Sequence, residues 1–84
     1  MTWKVYILQC ADDTLYTGIT TDIERRLEEH NSDNKKGARY TRVRRPVNLV
    51  YQEDCDNRAL ASTREYQLKK LSRAKKLKLV LNQS

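Results

Sequence analysis

Eighty-four residues, 38% hydrophobic and 33% charged with a formal charge of +6 at pH 7, describe one small globular domain spanning 1–84 rather than a disordered chain. No apolar run approaches the roughly 20 residues of a membrane span. MTWKVYILQC lacks the basic start, long apolar stretch and small-residue cleavage site of a signal peptide, so a cytoplasmic protein with no membrane partner is expected.

In chain order, WKVYILQC (3–10) is rich in β-branched and aromatic residues and reads as a strand. ADDT supplies a turn and LYTGIT a second strand, so the two form a hairpin. Alternation sets Tyr6 with Lys4 and Leu8 on one face, and Tyr16 with Gly18 and Thr20 on one face. Whether the tyrosines share a face depends on register, which alternation leaves open. Thr21-Asp22-Ile23-Glu24 fits a capping box with Thr21 as N-cap and Glu24 at N3, opening a helix to about His30 or Asn31. NSDNKKG is a polar loop with Gly37 as a turn residue, and ARYTRVRR can hold a short helical turn. VNLVYQE after Pro46 is a third strand. Helical periodicity runs from about Arg58 to Leu71, and Ser72 caps a last helix containing Ala74, Leu77, Val80 and Leu81. The order β-β-α-β-α-α implies a small α/β layer fold of the α+β type, with a three-stranded sheet, mixed or antiparallel, and helices packed on it.

A chain this short has a thin stability margin, so polar residues on inward faces are informative. In the first helix the stripe begun by Ile23 and Leu27 continues through Arg26 and His30. An unpaired buried guanidinium is costly, so Arg26 needs an acid or an open cleft that receives an anion. In the next long helix, Glu65 shares the face of Ala61, Leu68 and Leu71 and is the only side-chain carboxylate after Asp56. Two readings stand: an Arg26–Glu65 salt bridge, or Glu65 on a divalent cation with Arg26 facing a phosphate. Gly18 either forms a bulge at the strand end or permits close backbone approach. His30 alone reads equally well as a helix-end histidine favoured by the helix dipole.

The basic residues fall in blocks. Lys35, Lys36, Arg39, Arg42, Arg44 and Arg45 lie in a stretch with no acid between Asp33 and Glu53, and Lys69, Lys70, Arg73, Lys75, Lys76 and Lys78 form a second group. Such blocks favour a polyanionic partner over plain solvated charge. Tyr40 and Trp3 are candidate stacking faces. Cys10 and Cys55 read as reduced and buried; with no CxxC and one histidine they do not suggest a metal site.

Together these residues resemble the GIY-YIG nuclease family. The first tyrosine motif stands as Val5-Tyr6-Ile7, the second as Tyr16-Thr17-Gly18. Arg26 follows the glycine by eight residues, His30 follows it, and Glu65 lies within ALASTREYQLKK. The run KGARYTRVRRPVNLVY is similar to the small stand-alone bacterial members of the YhbQ type. The resemblance covers nearly the whole chain and departs at VYI, which replaces GIY.

The resemblance implies a three-stranded antiparallel sheet flanked by helices and metal-dependent endonuclease action on DNA with low sequence specificity, with repair or recombination as a setting. Branched and single-stranded DNA are among the candidate substrates. It further implies that Glu65 binds one Mg²⁺ or Mn²⁺, that Arg26 contacts the scissile phosphate, that Tyr6 and Tyr16 position or deprotonate the attacking water, and that His30 assists a tyrosine. Which tyrosine is the base stays open. Lys35, Lys36, Arg39, Tyr40, Arg42, Arg44, Arg45, Lys69 and Lys70 are the expected nucleic-acid contacts. The rival expectation is a non-catalytic nucleic-acid-binding module that keeps the fold; a third is a subunit that needs a protein partner for activity.

Overall fold

A computed structural model describes residues 2–82. Three strands, β1 (Trp3–Gln9), β2 (Leu15–Thr20) and β3 (Asn48–Cys55), form one antiparallel sheet in the order β2-β1-β3. The helices are α1 (Ile23–Ser32), the single turn α2 (Arg39–Arg42), α3 (Arg58–Lys69) and α4 (Arg73–Leu81). Among the described residues no helix is long and apolar enough to cross a membrane. The antiparallel sheet settles the choice that strand patterning alone left open, and the short helical turn within ARYTRVRR is α2.

β1 is the central strand and is covered on both faces, which is why Val5-Tyr6-Ile7-Leu8 reads as a continuous apolar run instead of an alternating one. Tyr6 and Leu8 pack with Cys10, Val47, Tyr16, Ile23 and Leu27 on the side of α1. Val5 and Ile7 pack with Leu68, Leu15, Ile19, Leu71 and Leu79 on the side of α3 and α4. Both cysteines are free, and Cys10 is buried.

The tight β1–β2 turn is made by Asp12, whose carboxylate accepts from the Thr14 N–H at 3.2 Å and its hydroxyl at 2.6 Å. Asp13 takes the left-handed conformation there, with φ 66°. The α1 cap differs from the expected capping box: Asp22, not Thr21, is the N-cap, and its carboxylate accepts from Arg25 N–H at 3.1 Å. The Thr20 hydroxyl accepts from Asp22 N–H at 3.1 Å, so the polar end of β2 leads directly into the helix. With Ile23 as the first helical residue, Arg25 takes the N3 position and Glu24 lies one place earlier, too early for a box. The helix also runs slightly past the expected end, to Ser32. Asn57 and Ser72 cap α3 and α4 by accepting from Leu60 N–H and Lys75 N–H.

Candidate active site

The site begins with strand register. Tyr6 lies opposite Gly18 and Leu8 opposite Tyr16, so both tyrosines stand on one face of the sheet, the face covered by α1. A Cβ on Gly18 would sit 2.5 Å from the Tyr6 hydroxyl and 2.7 Å from its Cζ. Gly18 therefore vacates the volume that the Tyr6 ring fills across the ladder, and no special backbone conformation is involved.

The Tyr6 hydroxyl meets His30 Nε2 at 2.8 Å, and the other ring nitrogen, Nδ1, lies 2.8 Å from the Thr41 hydroxyl. His30 is completely buried, as is Thr41. Its backbone is held as well, because Arg45 Nε donates to the His30 carbonyl at 2.7 Å. Tyr16 sits edge-on to the His30 ring at 5.2 Å and stacks on Tyr40 at 5.9 Å. Burial pushes the Tyr6 phenol up to about 12, against the pull of the nearby Arg26 guanidinium. Burial, reinforced by the positive charge of Arg26, pushes His30 down to about 4, so its ring is neutral at pH 7. Glu65 is close enough to Tyr6 to raise its pKa further.

Arg26 is partly exposed at the rim. It pairs with Glu29 at 3.1 Å and donates to the Lys36 carbonyl. Glu65 pairs instead with Lys69, one turn along α3, at 3.4 Å. The Arg26–Glu65 salt bridge that spacing allowed is thus not formed: a nearer acid, three residues along the same helix, neutralises the arginine. Arg26, Tyr6, Tyr16, His30 and Glu65 come together in one locality, and Gly18 makes room for it.

The basic residues divide. Lys35, Lys36, Arg39 and Arg42 are exposed. Arg45 is spent internally, donating also to Asn34 Oδ1 and the Asp33 carbonyl at 3.0 Å each. Arg44 pairs with Asp12 at 3.1 Å, donates to the Tyr40 carbonyl, and lies 4.0 Å over the Tyr40 ring. Tyr40 is 39% exposed, with Tyr16 and Arg44 against its ring. In the second block, Lys69 holds Glu65 and Lys70 lies 4.3 Å over the Tyr66 ring. Trp3 carries the Arg58 guanidinium at 5.8 Å.

Thr41 is the residue that sequence reasoning missed. It stands among arginines in a four-residue helix, and only its fold-dependent approach to His30 distinguishes it.

Among the described residues no three of His, Cys, Asp and Glu gather where they could hold a metal ion. Glu65 offers one partly buried carboxylate whose partner is the mostly exposed Lys69. That donor set suits Mg²⁺ or Mn²⁺ bound through one carboxylate, water and a substrate phosphate, not an all-protein cage.

The pattern that defines the GIY-YIG catalytic domain matches residues 2–78. The chain belongs to the GIY-YIG family. A UPF0213 protein of Desulfotalea psychrophila is 65% identical over 78 residues, 93% of this chain and 70% of that one. A UPF0213 protein of Natronomonas pharaonis is 54% identical over 80 residues, 95% of this chain and 92% of that one. The solution NMR structure of the UPF0213 protein BH0048 from Bacillus halodurans is 44% identical with a TM-score of 0.62, covering 99% of this chain and 86% of the other. That of the protein EF2693 from E. faecalis is 41% identical with a TM-score of 0.63, covering 94% and 83%.

Proposed function

We propose that this chain is a divalent-metal-dependent endonuclease that hydrolyses DNA phosphodiester bonds with little sequence preference. The observation that carries the reading is the Tyr6–His30 contact of 2.8 Å, with Arg26 at the rim of the same site. A phenol held near pKa 12 is a poor base by itself. Joined to a neutral imidazole, it becomes a route for a proton once an anionic phosphate on Arg26 offsets the positive charge that, after burial, holds His30 down. The attacking water gives a proton to the Tyr6 oxygen as Tyr6 passes its own to His30 Nε2. The water oxygen forms its bond to phosphorus, the bond from phosphorus to the leaving sugar oxygen breaks, and that oxygen takes a proton from solvent.

Arg26 supplies a planar, permanently charged fork for the phosphoryl oxygens as charge builds on them. Glu65 would hold the Mg²⁺ or Mn²⁺, which when bound stabilises charge on the phosphoryl and leaving oxygens. Tyr16, edge-on to His30 and stacked on Tyr40, walls the site and is not given the proton. Lys35, Lys36, Arg39 and Arg42 would contact the backbone, which supplies affinity without sequence information.

The test is cleavage of labelled single-stranded, duplex, flapped and branched DNA with Mg²⁺, with Mn²⁺ and with chelator, beside Arg26→Ala and Glu65→Ala. Metal-dependent cutting that both substitutions abolish is the expected result. Binding without cutting on every substrate would make the protein a nucleic-acid-binding module.

A further inference from the structure

The Thr41 hydroxyl has two polar neighbours in reach and one hydrogen to give. Thr41 Oγ1 lies 3.0 Å from the Ala38 carbonyl oxygen, and a carbonyl only accepts. The hydroxyl has a single hydrogen, and with that hydrogen on the Ala38 carbonyl its oxygen is the acceptor toward His30 Nδ1, 2.8 Å away. His30 Nδ1 then carries the proton of the neutral ring, and Nε2 presents its lone pair. The Tyr6 hydroxyl, 2.8 Å from Nε2, donates to it. The three contacts therefore run in one direction, from Tyr6 through His30 and Thr41 to the Ala38 carbonyl. A histidine side chain in water favours the opposite tautomer, so this arrangement needs a fixed acceptor at Nδ1.

We propose that Thr41 is a positioning residue that holds His30 in the Nδ1–H tautomer, leaving Nε2 free to receive the Tyr6 proton. This deepens the endonuclease reading and rests on it for its catalytic consequence, but not for its structural one. Thr41 would not touch the DNA. It acts through the imidazole, as a third group that orients a base. Its own constraint comes from α2: the turn places Ala38 three residues back, where its carbonyl takes the hydroxyl proton and, at 3.0 Å, the Arg42 N–H. The loop before α2 is fastened in turn, with Lys35 and Lys36 N–H groups on the Asp33 carboxylate and Gly37 N–H on the Asp33 carbonyl.

The chain contains one histidine, so a long-range ¹H–¹⁵N spectrum of the untagged, uniformly labelled protein reports His30 alone. The native protein and Thr41→Ser are expected to show a protonated Nδ1 and a bare Nε2. Thr41→Val keeps the shape and removes the acceptor, and is expected to shift the ring toward Nε2–H. Cleavage by Thr41→Val should fall at least about tenfold in kcat with KM little changed, the size expected for a buried donor left unsatisfied, and Thr41→Ser should recover most of it. A native spectrum showing Nε2–H overturns the proposal, and it does so even if Thr41→Val fails to fold. So does a folded Thr41→Val protein that keeps the Nδ1–H tautomer in full. Should the native protein cut no DNA, the endonuclease reading fails while the tautomer is still decided by the spectrum.

Discussion

Gly18 and Tyr6 face each other across the β1–β2 ladder, and the space beside the glycine α-carbon is filled by the tyrosine ring. The small residue on one strand is the condition for the large one on the other, and through it for the contact with His30.

Gly18→Ala is therefore expected to do two separable things. Overpacking should lower stability by about 1–3 kcal/mol, read from urea denaturation. The Tyr6 hydroxyl and Cζ, met at 2.5 and 2.7 Å, must also shift away from His30, so cleavage should fall under conditions where the variant is fully folded. Full activity in a folded Gly18→Ala protein would refute the second effect.

Stability should depend on pH through His30. Its folded pKa lies near 4, below the ordinary 6.5. Between those values the unfolded chain binds a proton that the folded chain does not. The contribution is thus complete above about pH 6.5 and is lost as pH falls toward 4, at up to about 1.4 kcal/mol per pH unit. Urea midpoints measured from pH 7.5 to 4.5 should fall more steeply for the native protein than for His30→Gln, whose remaining carboxylates titrate in common.

The first basic block should split on mutation. Arg39→Ala and Arg42→Ala, at exposed positions, should weaken DNA binding and each reduce the salt slope by about 0.9, with stability changed by less than about 0.5 kcal/mol. Arg45→Ala removes donors from two backbone carbonyls and Asn34, and should cost on the order of 2 kcal/mol of stability. Binding titrations at several salt concentrations, run beside melts, separate the two kinds of arginine.

Arg26 and Glu65 should also differ in kind. Arg26→Lys keeps a charge but loses the fork, and is expected to lower kcat about a hundredfold while the dependence on Mg²⁺ concentration stays as it was. Glu65→Gln keeps the size of the side chain but not its charge, and should move that dependence to much higher Mg²⁺. Cleavage rates across a Mg²⁺ titration distinguish them.

The elements, and the inward polar residues of α1, could be read from local pattern, because strand propensity, caps and helical periodicity act over a few residues. Ser72 as a cap and the inward stripe of Ile23, Arg26, Leu27 and His30 are of this kind. Most of what could not be read depends on partners far along the chain; the start of α1, capped by Asp22 and not Thr21, is a local exception. The shared face of Tyr6 and Tyr16 needed the register. The pairing of Arg26 with Glu29 is of the local kind, an i,i+3 contact within α1 that helical spacing already allowed. Arg45 looked like its neighbours because its acceptors, around the end of α1, lie 11 to 15 residues away. Thr41 was hidden for the same reason: a threonine between Tyr40 and Arg42 gives no sign of a buried ring beside it.

The Asp22 cap fixes where α1 begins. Arg26 and His30 ride on the same short helix, and the place where that helix starts sets the phase of both. An α-helix turns about 100° per residue, so moving the start of α1 by one residue relative to its packing on the sheet would swing the guanidinium and the imidazole together, away from Tyr6. The two groups are geared: any change that turns α1 about its axis moves the guanidinium and the imidazole as one.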